Sequence, residues 1–322
     1  MDESTPLVER IEKLLPGKPD EALEYCRELK GIALEKRKYE LLAREEGFRG
    51  RGYIAVARVK EGRQTISRTV QWYRRRNLLD SSSSLINSVG ADYLQMHLYR
   101  DARQWLAAAV KSAVTARTPQ VLYKSLYNLG RVEQSDGSLN SAKKYLEKSL
   151  TIGESVSEAS LTPVLKSLGE VCMKLGEHRR AGEVLVQARA LASEHHEWRQ
   201  AVSTGLTAAE LMVQTRQFDQ ARVLYQESAE AARVHKYLDY EIRSLCGLSQ
   251  VMIAVNDAAS AIQVLHRAQR MLKTSPHLMN PETAAVYKHL ALAYRMVFGE
   301  QEKSYRYYLE YRRALDSIRT GQ

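Results

Sequence analysis

Two short stretches of the 322-residue sequence contain residue types that could do chemistry. Residues 50–55 read Gly-Arg-Gly-Tyr-Ile-Ala, which matches the glycine-rich fingerprint of a dinucleotide-binding loop. That fingerprint requires a preceding strand, whereas a charged helical run precedes Gly50, so we interpret the stretch as a helix face with small residues. His195, His196 and Glu197 are metal-ligand types, but adjacent residues point to different sides of a helix. They predict a solvent-exposed turn.

The cysteines also argue against a reactive centre. Cys26, Cys172 and Cys246 are odd in number and far apart, which fits neither a disulfide framework nor a clustered zinc site. We expect them to be small core residues. Because no nucleophile elbow and no phosphate-binding loop is present either, the sequence predicts a protein that is not an enzyme and uses no metal or cofactor.

The composition excludes two further classes of protein. With 44% hydrophobic and 27% charged residues, the chain is too apolar to be disordered and too polar to be a membrane protein. The sequence begins Met-Asp-Glu-Ser, with acid where a signal peptide carries basic residues before an apolar run. We therefore expect a cytoplasmic protein with no membrane span.

Positive charge is concentrated in one segment. The formal net charge is +10, and residues 36–76 alone hold thirteen Lys or Arg against four Glu. Such asymmetry indicates an acidic partner, which could be nucleic acid, another protein or an acidic peptide. The alternative is that helix-end arginines simply cover apolar surface. The candidate basic patch comprises Arg63, Arg68, Arg74, Arg75 and Arg76.

Small residues recur at steps of 39 to 42 residues and predict the fold. A second small residue follows twelve positions after most of these landmarks, and a large apolar residue follows four positions later, as in Gly130, Ala142 and Leu146. The spacing continues on one face of a helix, so each unit is predicted to be a helical hairpin. The landmarks are Gly50, Gly90, Gly130, Gly169, Ala209, Ser249 and Ala291.

Local features refine these units. Gly17, Gly137, Gly176 and Gly299 are placed where turns between helices are expected, because glycine adopts a positive φ at little cost. The serine run at 81–84 is predicted to be a loop between units. In the second unit, the second helix is expected to be displaced to about residues 67–76.

The order Leu-Gly-x-x-aromatic, then Gly, then Ala-x-x-x-large-x-x-Ala resembles the tetratricopeptide repeat (TPR), for example in Leu168, Gly169, Gly176, Ala181, Leu185 and Ala188. The long unit is similar to those of kinesin light chains and of Gram-positive peptide-pheromone receptors, and HEAT-like repeats are the second choice. The resemblance implies an all-α, right-handed superhelical solenoid of about eight hairpins. Residues 1–322 would form a single domain, basic and less regular over 1–80 and regular over 81–322, with a capping helix.

The resemblance also implies a binding site. First helices of TPR units line a concave groove, and residues flanking each landmark would contact a bound segment. Asn can pair with peptide backbone groups, and Arg can grip carboxylates. Carried over residue by residue, the contact positions are Arg51, Asn87, Tyr127, Asn128, Arg131, Lys166, Gln250 and Lys288.

The predicted function is non-catalytic capture of an extended, possibly acidic, peptide or protein segment in this groove, in bacterial signalling or regulation. The alternative is a nucleic-acid-associated or scaffold protein that acts through the basic face at 36–76. A further partner is expected at the last helix, where Tyr305, Tyr307, Tyr308 and Tyr311 crowd together. They suggest a homodimer through the C-terminal helices or a further domain packed there.

Overall fold

The computed structural model of the protein describes residues 4–156, 160–274 and 281–320. In these ranges the regular structure consists of sixteen α-helices, with no strand. No helix in the same ranges is both long enough and apolar enough to cross a membrane. The helix bounds are α1 Ser4–Leu14, α2 Pro19–Glu35, α3 Tyr39–Ala55, α4 Val59–Arg75, α5 Leu79–Gln95, α6 Tyr99–Ala116, α7 Pro119–Ser135, α8 Leu139–Gly153, α9 Thr162–Lys174, α10 His178–Glu194, α11 Trp198–Gln214, α12 Phe218–Val234, α13 Leu238–Ala254, α14 Ala258–Lys273, α15 Pro281–Arg295 and α16 Gln301–Thr320.

The helices pair in chain order into eight hairpins, from α1 with α2 to α15 with α16. They form two compact units, Met1–Ser160 and Leu161–Gln322, each with four hairpins. Within each unit, the second helix of one hairpin packs on the first helix of the next. First helices also touch one another, as α5 touches α7 and α13 touches α15. We call the surface that the first helices share within a unit the odd-helix face.

Turns within hairpins and turns between hairpins have the same form. A residue with a left-handed φ ends most helices, and the spacing of these residues is about 20 along the chain. The next amide donates to a carbonyl five residues back, as Arg58 N donates to Tyr53 O at 2.7 Å, which satisfies a helix-end acceptor. Glycine takes this position at Gly137, Gly176 and Gly299, as predicted, although the amide after Gly299 donates only three residues back, to Val297 O. Elsewhere the residues are Arg37, Ala57, Asn77, His97, Arg117, His196, Arg216, Lys236 and Asn256. Gly17 lies in the turn before α2 without a positive φ, so the prediction was wrong there.

The small landmark residues lie where the two helices of a hairpin meet. A Cβ added to Gly130 of α7 would lie 2.7 Å from Leu146 Cγ of α8. Ala142 and Leu146 are fully buried at this contact. Close approach of the backbones therefore allows the large residue to be enclosed, as the repeat pattern predicted. Gly90 with Leu106 and Gly169 with Leu185 repeat the arrangement.

The expected displacement of the second helix in the second hairpin is wrong. α4 begins at Val59, and Gly62 takes the position twelve residues after Gly50. A Cβ on Gly62 would lie 2.6 Å from the Gly50 carbonyl oxygen, so the two backbones are in direct contact. Other units have alanine at this position, as at Ala102 and Ala142, so the glycine concealed the match.

The serine run at 81–84 was predicted to be a loop, and this is also wrong, since it lies inside α5. Ser82 and Ser83 are fully buried. Ser83 Oγ donates to the Leu79 carbonyl at 2.8 Å and lies 2.8 Å from Ser112 Oγ of α6. Bonding back to the preceding turn lets Ser83 occupy a helix interior without an unpaired hydroxyl, whereas Ser82 Oγ has no hydrogen-bond partner among the described residues.

Candidate binding face

In the first unit, the odd-helix face carries an ion pair between neighbouring hairpins. Arg51 of α3 contacts Asp92 of α5 through two bonds, Nε to Oδ2 at 2.6 Å and Nη2 to Oδ1 at 2.9 Å. Each side chain is only 14% exposed. Burial opposes the guanidinium charge, but the hydrogen bonds to Asp92 and the nearby negative charge, chiefly that of Asp92, together outweigh burial and raise the pKa of Arg51. Arg51 therefore joins two hairpins rather than extending freely into a groove.

Two predicted contact residues meet between α5 and α7. Asn128 Nδ2 donates to Asn87 Oδ1 at 3.2 Å, and Ser125 Oγ donates to the same oxygen at 3.1 Å. Asn128 is nearly buried, with 9% of its surface exposed. The two asparagine side chains thus form one polar cluster that crosses from one hairpin to the next.

Tyr127 and Arg131 lie together on α7. The Arg131 guanidinium carbon is 5.7 Å from the centre of the Tyr127 ring, within cation–π range. Arg131 is exposed and makes no ion pair with the described residues. This pair offers an unneutralised cation beside an aromatic surface.

In the second unit, charged groups from successive odd helices lie close together. Lys166 Nζ of α9 contacts Glu170 Oε1 at 2.5 Å. Desolvation raises the pKa of the Glu210 carboxyl on α11, and the positive charge of Arg243 on α13 partly offsets that rise. Glu210 and Arg243 both reach the surface. The face therefore has mixed charge in this unit.

A pocket of about 280 Å³ opens between α11, α13 and α15. Its apolar lining includes Leu206, Ile242 and Tyr225, and its polar lining is Glu210, Arg243, Gln250, Glu282 and His289. His289 Nδ1 lies 3.3 Å from Ser249 Oγ. Burial, helped by the charge of Lys288, lowers the pKa of His289 and favours a neutral ring.

Predicted residues Gln250 and Lys288 line different cavities. Gln250 lies in the pocket between α11, α13 and α15, whereas Lys288 lines a separate groove on the last hairpin, beside Leu292 and Tyr305. The structure therefore brings Gln250 together with Glu210 and Arg243. The sequence analysis did not identify Glu210 and Arg243 as site residues. Glu210 had a usable signal, because it follows its landmark Ala209 directly, as Gln250 follows Ser249.

The basic segment at 36–76 is partly neutralised. Arg63 pairs with Asp101 and donates to Tyr93 Oη at 3.0 Å. Arg76 lies over the Trp72 ring, 4.1 Å from its centre, as expected for an arginine that covers apolar surface. Arg68, Arg74 and Arg75 are exposed on α4 and make no ion pair with the described residues.

The motifs that resembled reactive sites have structural roles. Gly50 and Gly52 lie inside α3 and pack against Ile66 and Leu23. Residues 195–197 form the turn between α10 and α11, as predicted. Among the described residues, no group of three His, Cys, Asp or Glu could hold a metal ion. The cysteines are buried and free, and burial raises the pKa of Cys26 and Cys246 to about 12.

No protein-family model matches the sequence, and no curated protein matches it either. Solved structures do match the fold. The apo form of RapI superposes with a TM-score of 0.68 at 11% identity, over 99% of each chain. The apo quorum sensor NprR from B. thuringiensis gives 0.64 at 14% identity, over 97% of this chain and 87% of NprR. A signal-transduction ATPase from Pyrococcus horikoshii with a tetratricopeptide repeat sensor superposes with a TM-score of 0.64 at 13% identity. The match covers 97% of this chain and 53% of the ATPase.

This chain has the fold of a TPR protein. The sequence-based assignment to an all-α TPR solenoid of about eight hairpins is confirmed. Its units are longer than the usual 34-residue TPR, because each helix and its turn occupy about 20 residues. In this TPR chain, the odd-helix face is formed by the first helices of successive repeats.

Proposed function

We propose that this protein is a non-catalytic TPR binding module whose odd-helix face captures an extended peptide or protein segment. The pocket between α11, α13 and α15 is the observation that carries the proposal. An apolar floor at Leu206 and Ile242 lies below the polar ends of Glu210, Arg243 and Gln250. Its volume of about 280 Å³ suits a few side chains rather than a whole drug-sized ligand.

An extended segment needs partners for its backbone groups, and the face supplies them. The Gln250 amide can donate to a peptide carbonyl and accept from a peptide amide. A buried, unpaired backbone group would cost about 1–3 kcal/mol. In the first unit, Asn87 Oδ1 already accepts from Ser125 and Asn128, so half-buried Asn87 has its amide nitrogen left to donate, and Tyr127 adds apolar surface.

In the first unit charge favours an acidic ligand, whereas the pocket of the second unit holds Glu210 and Glu282 beside Arg243 and so favours a ligand of mixed charge. Arg131 and Arg243 make no ion pair with the described residues, whereas Arg51 and Lys166 are already paired. A carboxylate on the ligand would give each free arginine a charge-assisted partner. Lys288 lies in another groove, so we leave it out of the central contacts.

The proposed setting is bacterial signalling or regulation. NprR is described as a quorum sensor, and the repeats of the P. horikoshii ATPase are described as a sensor. Identities of 11–14% support a shared fold alone, so the setting rests on analogy with these proteins.

The test begins with a peptide selected from a random library against the whole protein. Calorimetry then compares its affinity for the parent, Arg243→Ala, Gln250→Ala, Asn128→Ala and Arg131→Ala. In at least one unit, both variants should lose about 1–3 kcal/mol of binding free energy, the cost of losing a buried or charge-assisted hydrogen bond. The pairs are Asn128→Ala with Arg131→Ala in the first unit and Arg243→Ala with Gln250→Ala in the second.

Matched controls are Lys148→Ala on α8 and Arg270→Ala on α14. Both residues are exposed on even-numbered helices, so their substitution should leave affinity unchanged. Melting curves should coincide for all variants. Equal affinity across the four face variants, with the selected peptide still bound, would show that the ligand lies elsewhere.

A further inference from the structure

The last hairpin carries an open groove between α15 and α16. Its volume is about 430 Å³. Leu292, Tyr305 and Tyr308 leave 37%, 64% and 43% of their surfaces exposed. We call it the terminal groove, and its defining residues are Lys288, Leu292, Arg295, Tyr305, Tyr308 and Tyr311.

The corresponding positions of the preceding hairpin are covered. Ala261 and Leu265 of α14 take the landmark positions that Ser304 and Tyr308 take in α16. Both α14 residues are fully buried, in a cluster shared with Leu290 of α15. None of the side chains described for α16 is fully buried. The terminal groove is thus the place where another helix would pack if the repeat pattern continued.

Tyr305 and Tyr308 lie outside the core cluster of the last hairpins. Tyr307 lies on another side of α16, where its ring stacks on that of Tyr294 with 5.5 Å between ring centres. It joins the core cluster of α13, α14 and α15. Tyr308 accepts a hydrogen bond from Arg312, and its ring lies 6.4 Å from the ring of Tyr311, both on α16 itself. Tyr305 and Tyr308 still expose apolar surface, and surfaces of this kind mark interaction sites.

The rim of the groove is positive. Lys288 and Arg295 of α15 line it and make no ion pair with the described residues. They are seven residues apart, which is about 10.5 Å along a helix. α16 is basic as well, with five Lys or Arg against three Asp or Glu. A second copy of this helix would bring like charges together, whereas carboxylates would complement the rim.

We propose that the terminal groove docks an acidic amphipathic helix of a partner protein. Apolar residues of that helix, spaced at three and four, lie over Leu292, Tyr305 and Tyr308. Carboxylates about two turns apart on its flank pair with Lys288 and Arg295. This site is distinct from the odd-helix pocket, and its test does not depend on a peptide bound there.

The test uses two labelled peptides of about 18 residues, long enough to form roughly five helical turns. Both have the same leucine stripe. One carries Glu on the flank and the other carries Lys at the same positions. Fluorescence anisotropy measures their affinity for the whole protein, for Lys288→Glu/Arg295→Glu and for Tyr305→Ser/Tyr308→Ser. The matched control is Lys174→Glu/Lys236→Glu, which changes the net charge equally at exposed sites away from the groove.

The Glu peptide should bind the parent about tenfold more tightly than the Lys peptide, and charge reversal of the rim should invert that preference. Loss of the two tyrosines should weaken both peptides. The control should behave as the parent, with melting curves unchanged throughout. Equal binding of both peptides to the parent would overturn the proposal. So would a parent dimer in sedimentation that Tyr305→Ser/Tyr308→Ser dissociates, since the groove would then be occupied by a second copy.

Discussion

Gly130 of α7 lies directly against Leu146 of α8, so that a methyl group added to Gly130 would come within 2.7 Å of Leu146 Cγ. Gly31, inside α2, has no atom within 4 Å of the same added group. The two helical glycines therefore separate the effect of packing from the effect of backbone entropy.

The first prediction compares the unfolding free energies of Gly130→Ala and Gly31→Ala. Gly130→Ala should lower the free energy of unfolding by about 1–3 kcal/mol, because the added methyl overpacks the helix contact. Gly31→Ala should raise it by about 0.5–1 kcal/mol, since alanine is the better helix former and space is available. Urea unfolding followed by circular dichroism measures both. Stabilisation by Gly130→Ala would contradict the close helix approach.

The second prediction concerns Tyr225 and Gly247. Tyr225 of α12 takes a position that is leucine in several other hairpins, and Gly247 of α13 leaves the space for its ring. A Cβ on Gly247 would lie 2.2 Å from Tyr225 Cε1. Gly247→Ala should destabilise the parent by about 1–3 kcal/mol and should cost much less in Tyr225→Leu.

A double-mutant cycle in thermal unfolding gives the coupling, which should be about 1–2 kcal/mol. Coupling near zero would mean that the ring and the glycine do not compete for the same space.

The third prediction is a pH dependence that comes from Glu45. Its side chain is 1% exposed, Oε2 has no hydrogen-bond partner among the described residues, and burial raises its pKa from 4.5 to about 7. The folded state therefore binds this proton more tightly than the unfolded state. Its stabilising contribution is complete below pH 4.5 and is lost as the pH rises to about 7.

Glu45→Gln should remove this dependence, which amounts to about 3 kcal/mol across the interval. The measurement is the difference in unfolding free energy between parent and variant at several pH values. Glu28→Gln, at an exposed position of α2, is the control and should keep the parent's slope. An identical slope in Glu45→Gln would show that Glu45 is ionised in the folded protein.

The fourth prediction tests the ion pair between Arg51 and Asp92. Arg51→Met leaves a carboxylate only 14% exposed and without its partner. We expect a loss of about 3 kcal/mol of unfolding free energy. Arg51→Met/Asp92→Leu should recover most of it, because two apolar side chains can replace a buried pair. Denaturant unfolding distinguishes these results, and a double variant no better than the single one would contradict the pairing.

The fifth prediction addresses the alternative function at the basic segment. Arg63 is engaged with Asp101, and Arg76 lies over Trp72. Single-stranded DNA or RNA should therefore bind more weakly than about 1 μM at physiological salt, in the range of non-specific contacts. Anisotropy titrations at several salt concentrations measure this, with Arg68→Ala/Arg74→Ala/Arg75→Ala as the control. Submicromolar binding that this triple variant removes would favour the nucleic-acid function.

The repeat was readable from sequence because close helix contacts restrict residue size at fixed positions. Gly130, Ala142 and Leu146 illustrate this, since any larger residue at the first two would separate the helices. The positions of the turns were harder to predict from the sequence. Ordinary residues such as Arg37 and His97 adopt the left-handed φ, so the turns that glycine marks are a minority.

The side-chain partners on the candidate face could not be predicted. The pairing of Arg51 with Asp92, and of Asn87 with Asn128, depends on how neighbouring hairpins are offset. That offset is fixed by tertiary packing, which the spacing within one repeat does not contain. The sequence could place these residues on first helices, but it could not distinguish a residue free to bind from one already engaged.

The alternation of helix direction along the hairpins has an electrostatic consequence. Within each unit, the amino end of one helix lies beside the carboxyl end of the next, so the dipoles of the two helices of a hairpin oppose each other. The partial charges of a helix dipole act within its first and last turns, so the backbone contributes little field to the middle of the odd-helix face. Under the proposed function, individual side chains such as Arg131, Glu210 and Arg243 would determine ligand preference there. Point substitutions would then change the ligand while the scaffold of helices and turns stays the same.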